Sequence, residues 1–348
     1  MSGEALQKAL SQKRSHVAKG ISLRKAVRDL QQETGIAFVV DRRIDPTSPH
    51  SLTTGLVSVR QNIQSLAQSA DAAVSETEFA VVIAPAAAAG RLRTLIALRQ
   101  DEFTSKRRKL SAAVTRSVGR AMTIEWPDGT QPRQLFVATA EQNGLTVTNA
   151  DLIPHDVWAG AQLPPVTFSV LSSLVLNQFD LTFEFTGADS VTLIRVPEAP
   201  VIERSYRLPV RRREEIKATW TRMFPELDIE WTRTTAMVAT DVETHVRLQQ
   251  VIDGQQIVSV QGDSLLKRRI TLNLSQGVPL AAILQSLESS KIPVVLEGLG
   301  RQQQEQLLSQ TIRVSVKEMP LQMFIEKVFD GTGATVTVTD SNVRVSFR

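Results

Sequence analysis

The sequence predicts an α+β protein: tandem small modules, each of two helices on mixed sheets in the order β-α-β-β-α-β-β, joined by a helical basic linker. Three observations carry this. Apolar residues recur at helical spacing and then give way to short apolar runs of strand length. The same arrangement returns near the other end of the chain at a constant offset. Between the copies lies a stretch whose Lys and Arg residues far outnumber its carboxylates.

In Ile21 to Asp41, Leu23, Ala26, Val27 and Leu30 stand at i, i+3, i+4 and i+7, one face of a helix. Ser22 is the expected N-cap and Gly35 the expected stop, before the buried strand "IAFVV". The face pattern makes Leu23, Ala26, Val27 and Leu30 core, and Arg24, Lys25 and Arg28 solvent-facing. Val278 to Gly298 repeats the pattern at an offset of 257, which pairs Leu23 with Leu280, Ala26 with Ile283, Val27 with Leu284 and Leu30 with Leu287. Further on, Val59, Ile63, Leu66 and Val74 match Leu321, Ile325, Val328 and Val336 at an offset of 262, and "GLGRQQQEQLLSQ" absorbs the difference as a short extra helix.

A looser middle copy starts with the strand "AMTIEW". Its first helix, "QPRQLFVATAEQNG", turns Leu135, Ala138 and Thr139 inward; the strand "LTV" and the insert "TNADLIPHDVWAGAQLPP" follow. A second helix, "TFSVLSSLVLNQFD", and a hairpin close it. From Ile202 to Gly262 the order changes to β-α-β-β-α, closed by "IVSVQGD". The expected divisions are therefore a first module at 14–85, the basic linker at 86–120, a second module at 121–198, the β-α-β-β-α module at 202–262 and a third module at 267–348.

The composition narrows the function classes. At 348 residues the chain exceeds the usual domain size of about 100 to 200 residues, so several domains are expected. There is no cysteine, which excludes disulfides, thiolate metal sites and Cys nucleophiles. A net charge of +4 is too small to argue for nucleic acid on its own. The N-terminus lacks the apolar core of a signal peptide, and no stretch reaches the roughly 20 apolar residues of a spanning helix. Taken literally this reads as a soluble cytoplasmic chain; a chain relieved of an export signal reads the same.

The stretches "ISLRKAVRDLQQETGIAFVVD" and "VPLAAILQSLESSKIPVVLEG" resemble the secretin and TonB N-terminal domain family, with its apolar-Ser-Leu helix start and its Gly before an apolar strand. The segment 202–262, with "FPELDIEW" and "VATDVETHVRLQQVID", looks like the neighbouring ring domain of secretins. The resemblance implies a non-enzymatic periplasmic or envelope-associated protein that binds a protein partner or self-associates into a ring or oligomer. No pore follows, because the chain ends at Arg348 without the alternating strands of the secretin channel.

Two sets of residues are candidates for function. The linker carries Arg91, Arg93, Arg99, Lys106, Arg107, Arg108 and Lys109, with Arg116 and Arg120 beyond, a group able to meet phosphates or an anionic polymer. A solvated helix face is the plainer expectation, and the absence of a Gly-x-x-Gly clamp and of stacking aromatics disfavours nucleic acid. In the insert, His155, Asp156 and Trp158 form a candidate partner-binding group; the plainer expectation has Asp156 capping a short helix and Trp158 packing on the middle copy. The histidines His16, His50, His155 and His245 are scattered, so no metal is expected, and no cofactor. "GLG" and "GTG" read as turns, and "GDS" lacks the glycine of a nucleophile elbow. The candidate binding edges are the hairpins Ala73 to Ile83, Leu181 to Val196 and Thr335 to Phe347, since small mixed sheets expose unpaired strand edges.

Overall fold

A computed structural model describes residues 1–254, 269–289, 292, 294–297, 301–339 and 343–347. It is α+β, with small sheets of two or three strands. The expected strand "IVSVQGD", the "GDS" turn and "GLG" lie outside the described residues. The chain divides into two compact units, Met1–Ile216 with Glu226–Asp253, and Lys217–Pro225 with Gly254–Arg348.

The first unit begins with α1 (Gly3–Ser11), β1 (Lys13–Ser22), α2 (Leu23–Thr34), β2 (Phe38–Val40), β3 (Pro49–Ser58), α3 (Val59–Ser69), β4 (Ala73–Glu76) and β5 (Val81–Ala84). Local chemistry fixes the helix ends. Ser22 Oγ accepts from Lys25 N, and Gly35 closes α2 in the left-handed region at φ +69°, where a Cβ is disfavoured. Ser58 and Gln61 form a reciprocal capping box on α3. β1 and β3 pair antiparallel; β5 lies between β2, parallel to it, and antiparallel β4. Leu23, Ala26, Val27 and Leu30 are all buried, together with Ile63, Leu66 and Ile83. Helix α1 is an addition to the expected order: its Leu6, Ala9 and Leu10 close the same core.

All four residues of β5 are buried, which is what a central strand covered on both faces requires. The second cover is α4 (Ala86–Lys106), whose Ala88, Ala89, Leu92 and Ile96 share a core with Val39, Val82 and Ala84. The linker is thus a long helix followed by α5 (Ala112–Val118).

The next elements are β6 (Met122–Trp126), α6 (Pro132–Gln142), β7 (Thr146–Thr148), β8 (Ala161–Val166), α7 (Phe168–Leu176), β9 (Leu181–Phe185) and β10 (Ser190–Arg195). They give the same two sheets: β6 with β8, and β10 between parallel β7 and antiparallel β9. Two details correct the sequence reading. Helix α6 turns Phe136, Thr139 and Ala140 inward, while Leu135 is half-buried and Ala138 exposed, one residue off the expected face. The end of the supposed insert is strand β8, and its Pro164 and Pro165 fall at a register shift opposite Met122 to Ile124, where missing donors disturb no ladder. Every residue of α7 is buried, so this helix is central to the shared core.

β11 (Ile202–Arg207), α8 (Arg213–Met223), β12 (Ile229–Trp231), β13 (Thr235–Thr240) and α9 (Val242–Ile252) follow, with sheet order β11-β13-β12. The boundary between the units falls within α8.

The second unit adds β14 (Arg269–Pro279), α10 (Leu280–Ser289), β15 (Val294–Glu297), α11 (Arg301–Leu308), β16 (Thr311–Pro320), α12 (Leu321–Val328), β17 (Thr335–Val338) and β18 (Val343–Ser346). β14 pairs with β16, and β18 lies between parallel β15 and antiparallel β17, the topology of the first stretch. Leu280, Ile283, Leu284, Leu287, Leu321 and Ile325 form its core. Here the central strand alternates: Val343 and Val345 are buried and Arg344 is exposed. Such a sheet has one apolar face and needs no second cover.

Candidate functional site

The insert folds back on the turn after β6. Trp158 N donates to Thr130 O at 2.8 Å and Gly129 N to Trp158 O at 2.9 Å, while Asp128 Oδ1 accepts from Gly160 N at 2.7 Å. Gly160 is required there: an added Cβ would lie 2.8 to 2.9 Å from backbone atoms of Trp126, Pro127 and Asp128. This holds Trp126 and Trp158 stacked, with centroids 4.7 Å apart, an arrangement worth about 0.5 to 1.5 kcal/mol beyond the area buried.

No helix follows Asp156, so the expected cap does not form; residues 154–160 run without regular structure. Asp156 instead pairs with Arg42. Trp158 is 3% exposed, packs on the middle segment as expected, and donates its Nε1 proton to Val40 O at 3.1 Å. Because Val40 sits on the outer edge of β2, the indole occupies an edge carbonyl; Gln178 Oε1 accepts from Arg42 N just beyond it, at 2.9 Å. His155 is exposed.

Ion pairs tie the same segments together. Arg28 reaches Asp128 at 2.8 Å and Arg24 the same oxygen at 3.8 Å, so two residues expected to face solvent meet the middle segment. The Gly160 N–H holds the Asp128 carboxyl below its usual range, against the opposing effect of burial, and the two arginines add to this. Arg43 grips Asp41 with two nitrogens and reaches Asp180 at 3.0 Å; Arg91 also pairs with Asp180. Burial alone would raise the Asp180 pKa, but Arg91 and Arg43 outweigh it and the carboxyl is held low.

The linker cations divide into two groups. Arg91 is committed to Asp180 and Asn177, Arg93 to Glu243 at 3.3 Å, Arg99 to Glu102 at 2.6 Å and Lys106 to Glu102 at 2.8 Å. Arg107, Arg108 and Lys109 are exposed, and among the described residues none makes an ion pair. Arg116 and Arg120 are exposed too and make no ion pair among the described residues, so the solvated-face expectation describes the linker from Arg107 onward and not α4.

Arg99, Glu102 and Lys106 also act on a strand edge, which periodicity could not reveal. Thr186 N donates to Ser190 O, a phase that turns the backbone groups of Phe183 and Phe185 away from β10. Arg99 Nη1 donates to Phe183 O, Lys106 Nζ donates to Phe185 O at 2.7 Å, and Glu102 Oε1 accepts from Phe185 N at 3.0 Å. The outer edge of the Leu181 to Val196 hairpin is thus occupied by α4. Arg99 is 4% exposed, and burial lowers its pKa against the opposing field of Glu102.

The β11 edge differs. Leu208 N donates to Thr234 O, and with the antiparallel register this phase turns the N–H and C=O groups of Glu203, Ser205 and Arg207 away from β13. All three residues are exposed. Arg204, on the opposite face, pairs with Asp101 of α4 at 2.8 Å. Behind the strand, His245 is buried between Tyr206 and Ile202: a carbonyl can only accept, so Nε2 carries the proton given to Ile202 O at 2.9 Å, and Nδ1 accepts from Tyr206 Oη at 2.6 Å. Burial pushes Tyr206 up to about 12 and the His245 imidazole down. His50 is buried against Ser69, at 3.0 Å. No group of three His, Cys, Asp or Glu side chains able to hold a metal ion occurs among the described residues, and none of their helices is long and apolar enough to cross a membrane.

No family model matches the sequence, and no curated protein matches it. Among solved structures the chain has a likeness to the crystal structure of the N-terminal domain of the secretin XcpQ from Pseudomonas aeruginosa. The identity is 11% and the TM-score 0.17, over 70% of this chain and 98% of that one. A likeness of this size carries no argument about fold or function.

Proposed function

We propose that this chain is a non-enzymatic cell-envelope interaction or assembly protein, of the kind found in the periplasmic part of secretin and TonB-linked systems. It acts by protein contact through its module edges and inserts. The modules are 14–85, 121–198 and 267–348, with a ring-type module at 202–262 and the basic linker at 86–120. The sequence resemblance at Ile21 to Asp41 and Val278 to Gly298 supports the class. The observation that carries the mode of action is the contrast between edges: β2 and β9 have outward backbone groups held by side chains of the same chain, whereas Glu203, Ser205 and Arg207 of β11 have none holding them among the described residues. A strand with a row of free donors and acceptors is a template on which a neighbouring subunit or a partner's extended segment can pair.

Sedimentation velocity across a wide concentration range tests this. The expected result is reversible self-association that Ser205→Pro removes while leaving the melting temperature near wild type. The Ser205 N–H points away from the sheet, so proline deletes only the donor a partner would use. Association unchanged in Ser205→Pro would reject the edge; a monomer at every concentration would reject self-assembly.

A second reading, binding of an anionic polymer or nucleic acid by the linker, keeps support from Arg107, Arg108 and Lys109, which lack counter-charges among the described residues. Its signature is retention on heparin that falls steeply with salt and vanishes when all three become Gln.

A further inference from the structure

Between the turn after β2 and the folded insert lies an open cavity of about 300 Å3. Val40, Ile44, Pro46, Val157 and Trp158 give it apolar walls, and Arg24, Arg42 and Asp128 stand at its rim. Arg24, Arg28, Arg42, Arg43 and Arg91 lie in the segments around it with Asp41, Asp45, Asp128, Asp156 and Asp180, five of each sign, but Arg24 has no close counter-charge among the described residues. Arg28, Arg42, Arg43 and Arg91 each hold a close carboxylate, but the sole ion contact of Arg24 among the described residues is the long one of 3.8 Å, to an oxygen that Arg28 already holds. Its Nε–H is buried and has no acceptor among the described residues. An unmet buried donor costs free energy until an acceptor arrives. At the other side of the mouth Val157 is 59% exposed, an aliphatic side chain kept in water beside an apolar hollow.

We propose that this cavity binds an extended peptide segment of a partner protein that places an aliphatic side chain against Val157, Trp158 and Ile44 and an adjacent carboxylate on Arg24. The inference rests on the reading that the chain works by protein contact, and it names what the insert grips. An apolar wall with a single cationic anchor selects by pairing the two groups: the hollow takes a Leu- or Ile-sized side chain, and the anchor rejects a neutral neighbour. His155 and Asp156 then have different parts. Asp156 neutralises Arg42 and holds the insert closed, while His155 lies outside the cavity lining.

The test uses the full chain and two defined probes, acetyl-Leu-Asp amide and acetyl-Leu-Asn amide, followed by saturation-transfer NMR. The expected result is saturable binding of the Asp probe, tighter than the Asn probe by about fivefold, the scale of one partly exposed ion pair. The preference should disappear in Arg24→Gln, and both probes should be lost in Val157→Glu, a rim change that leaves the stacked tryptophans in place. Absence of saturable binding in the millimolar range, equal affinity for the two probes, or a preference that survives Arg24→Gln would each overturn the proposal. Should Arg24→Gln fail to fold, the Asp/Asn comparison on the unaltered chain and the Val157→Glu variant still decide. Neither readout depends on assembly at β11, so failure here is distinguishable from failure of the edge reading.

Discussion

Replacing Arg99 by Met tests the claim that linker cations serve the fold. The side chain is 4% exposed, donates to Phe183 O and pairs with Glu102 at 2.6 Å. Met keeps the aliphatic stem and removes the charge. Glu102 retains Lys106 and the Phe185 N–H, so its charge stays compensated, but Phe183 O loses its donor. Breaking one side of a buried pair costs about 3 to 5 kcal/mol, and the surviving Lys106 contact puts the expectation near the lower end, about 3 kcal/mol. For a unit of this size that is a fall of roughly 6 to 12 °C in melting temperature. The double variant Arg99→Met with Glu102→Gln removes both charges while keeping an acceptor for Phe185 N–H. It should recover most of the loss, since replacing a whole buried pair by neutral groups is near neutral. Thermal and urea unfolding followed by tryptophan fluorescence and circular dichroism read both. Arg99→Met as stable as wild type, or a double variant no better than the single, would refute the edge-sealing account.

Other expectations rest on the same contacts. Gly160→Ala should destabilise by about 1 to 3 kcal/mol, because a Cβ there meets backbone that cannot yield, whereas Gly90→Ala, in α4 with open space around it, should stabilise by about 0.5 to 1 kcal/mol; paired thermal melts compare them. The His245 imidazole has a pKa held down by burial, the Ile202 carbonyl and Asp241 opposing this and Arg204 adding to it. The unfolded state therefore takes up a proton first: its contribution is full above about pH 6.5 and is lost as pH falls through the lowered folded value. His245→Gln should flatten that part of a urea-midpoint profile between pH 8 and 5. Asp128, Asp180 and Asp241, all held low, should contribute a separate loss below about pH 4 that the variant leaves unchanged. Changing Arg107, Arg108 and Lys109 together to Gln should leave the stability within about 0.5 kcal/mol of wild type in a thermal melt, because these side chains touch no counter-charge among the described residues.

The helices that bury one stripe were legible. Leu23, Ala26, Val27 and Leu30 announce the face of α2, and Ser22 and Gly35 its ends, because caps and periodicity are local. Helix α1 obeys the same rule through Leu6, Ala9 and Leu10, but it lies ahead of the first strand and outside the repeated pattern. β8 was hidden by Pro164 and Pro165, which argue against a strand unless a register shift absorbs them. The α6 face lies one residue from the expected one because Phe136, and not Leu135, fills the core.

Function was less legible for a physical reason. The pairs Arg24 and Arg28 with Asp128, Arg42 with Asp156, and Arg91 and Arg43 with Asp180 join residues far apart in the chain, and no spacing rule links them. The linker looked like one basic surface, yet Arg99 and Lys106 are drawn inward by Glu102 and by carbonyls of β9. One signal was available. "VVIA" in β5 is apolar at every position while "VRVS" in β18 alternates, so the first sheet needs a second cover and the last does not. That contrast points to α4 as a packed element and away from a free linker.

Hydrogen–deuterium exchange on β11 addresses the central claim most directly. At low protein concentration the amides of Glu203, Ser205 and Arg207 should exchange fast and those of Arg204 and Tyr206 slowly, because only the second set pairs with β13. At concentrations where the chain associates, or with a partner segment bound, Glu203, Ser205 and Arg207 should become protected in wild type and stay fast in Arg207 when Ser205 is Pro. Protection of all five amides in the dilute monomer, or exchange at Glu203, Ser205 and Arg207 that association leaves unchanged, would contradict an account in which this edge is the working surface.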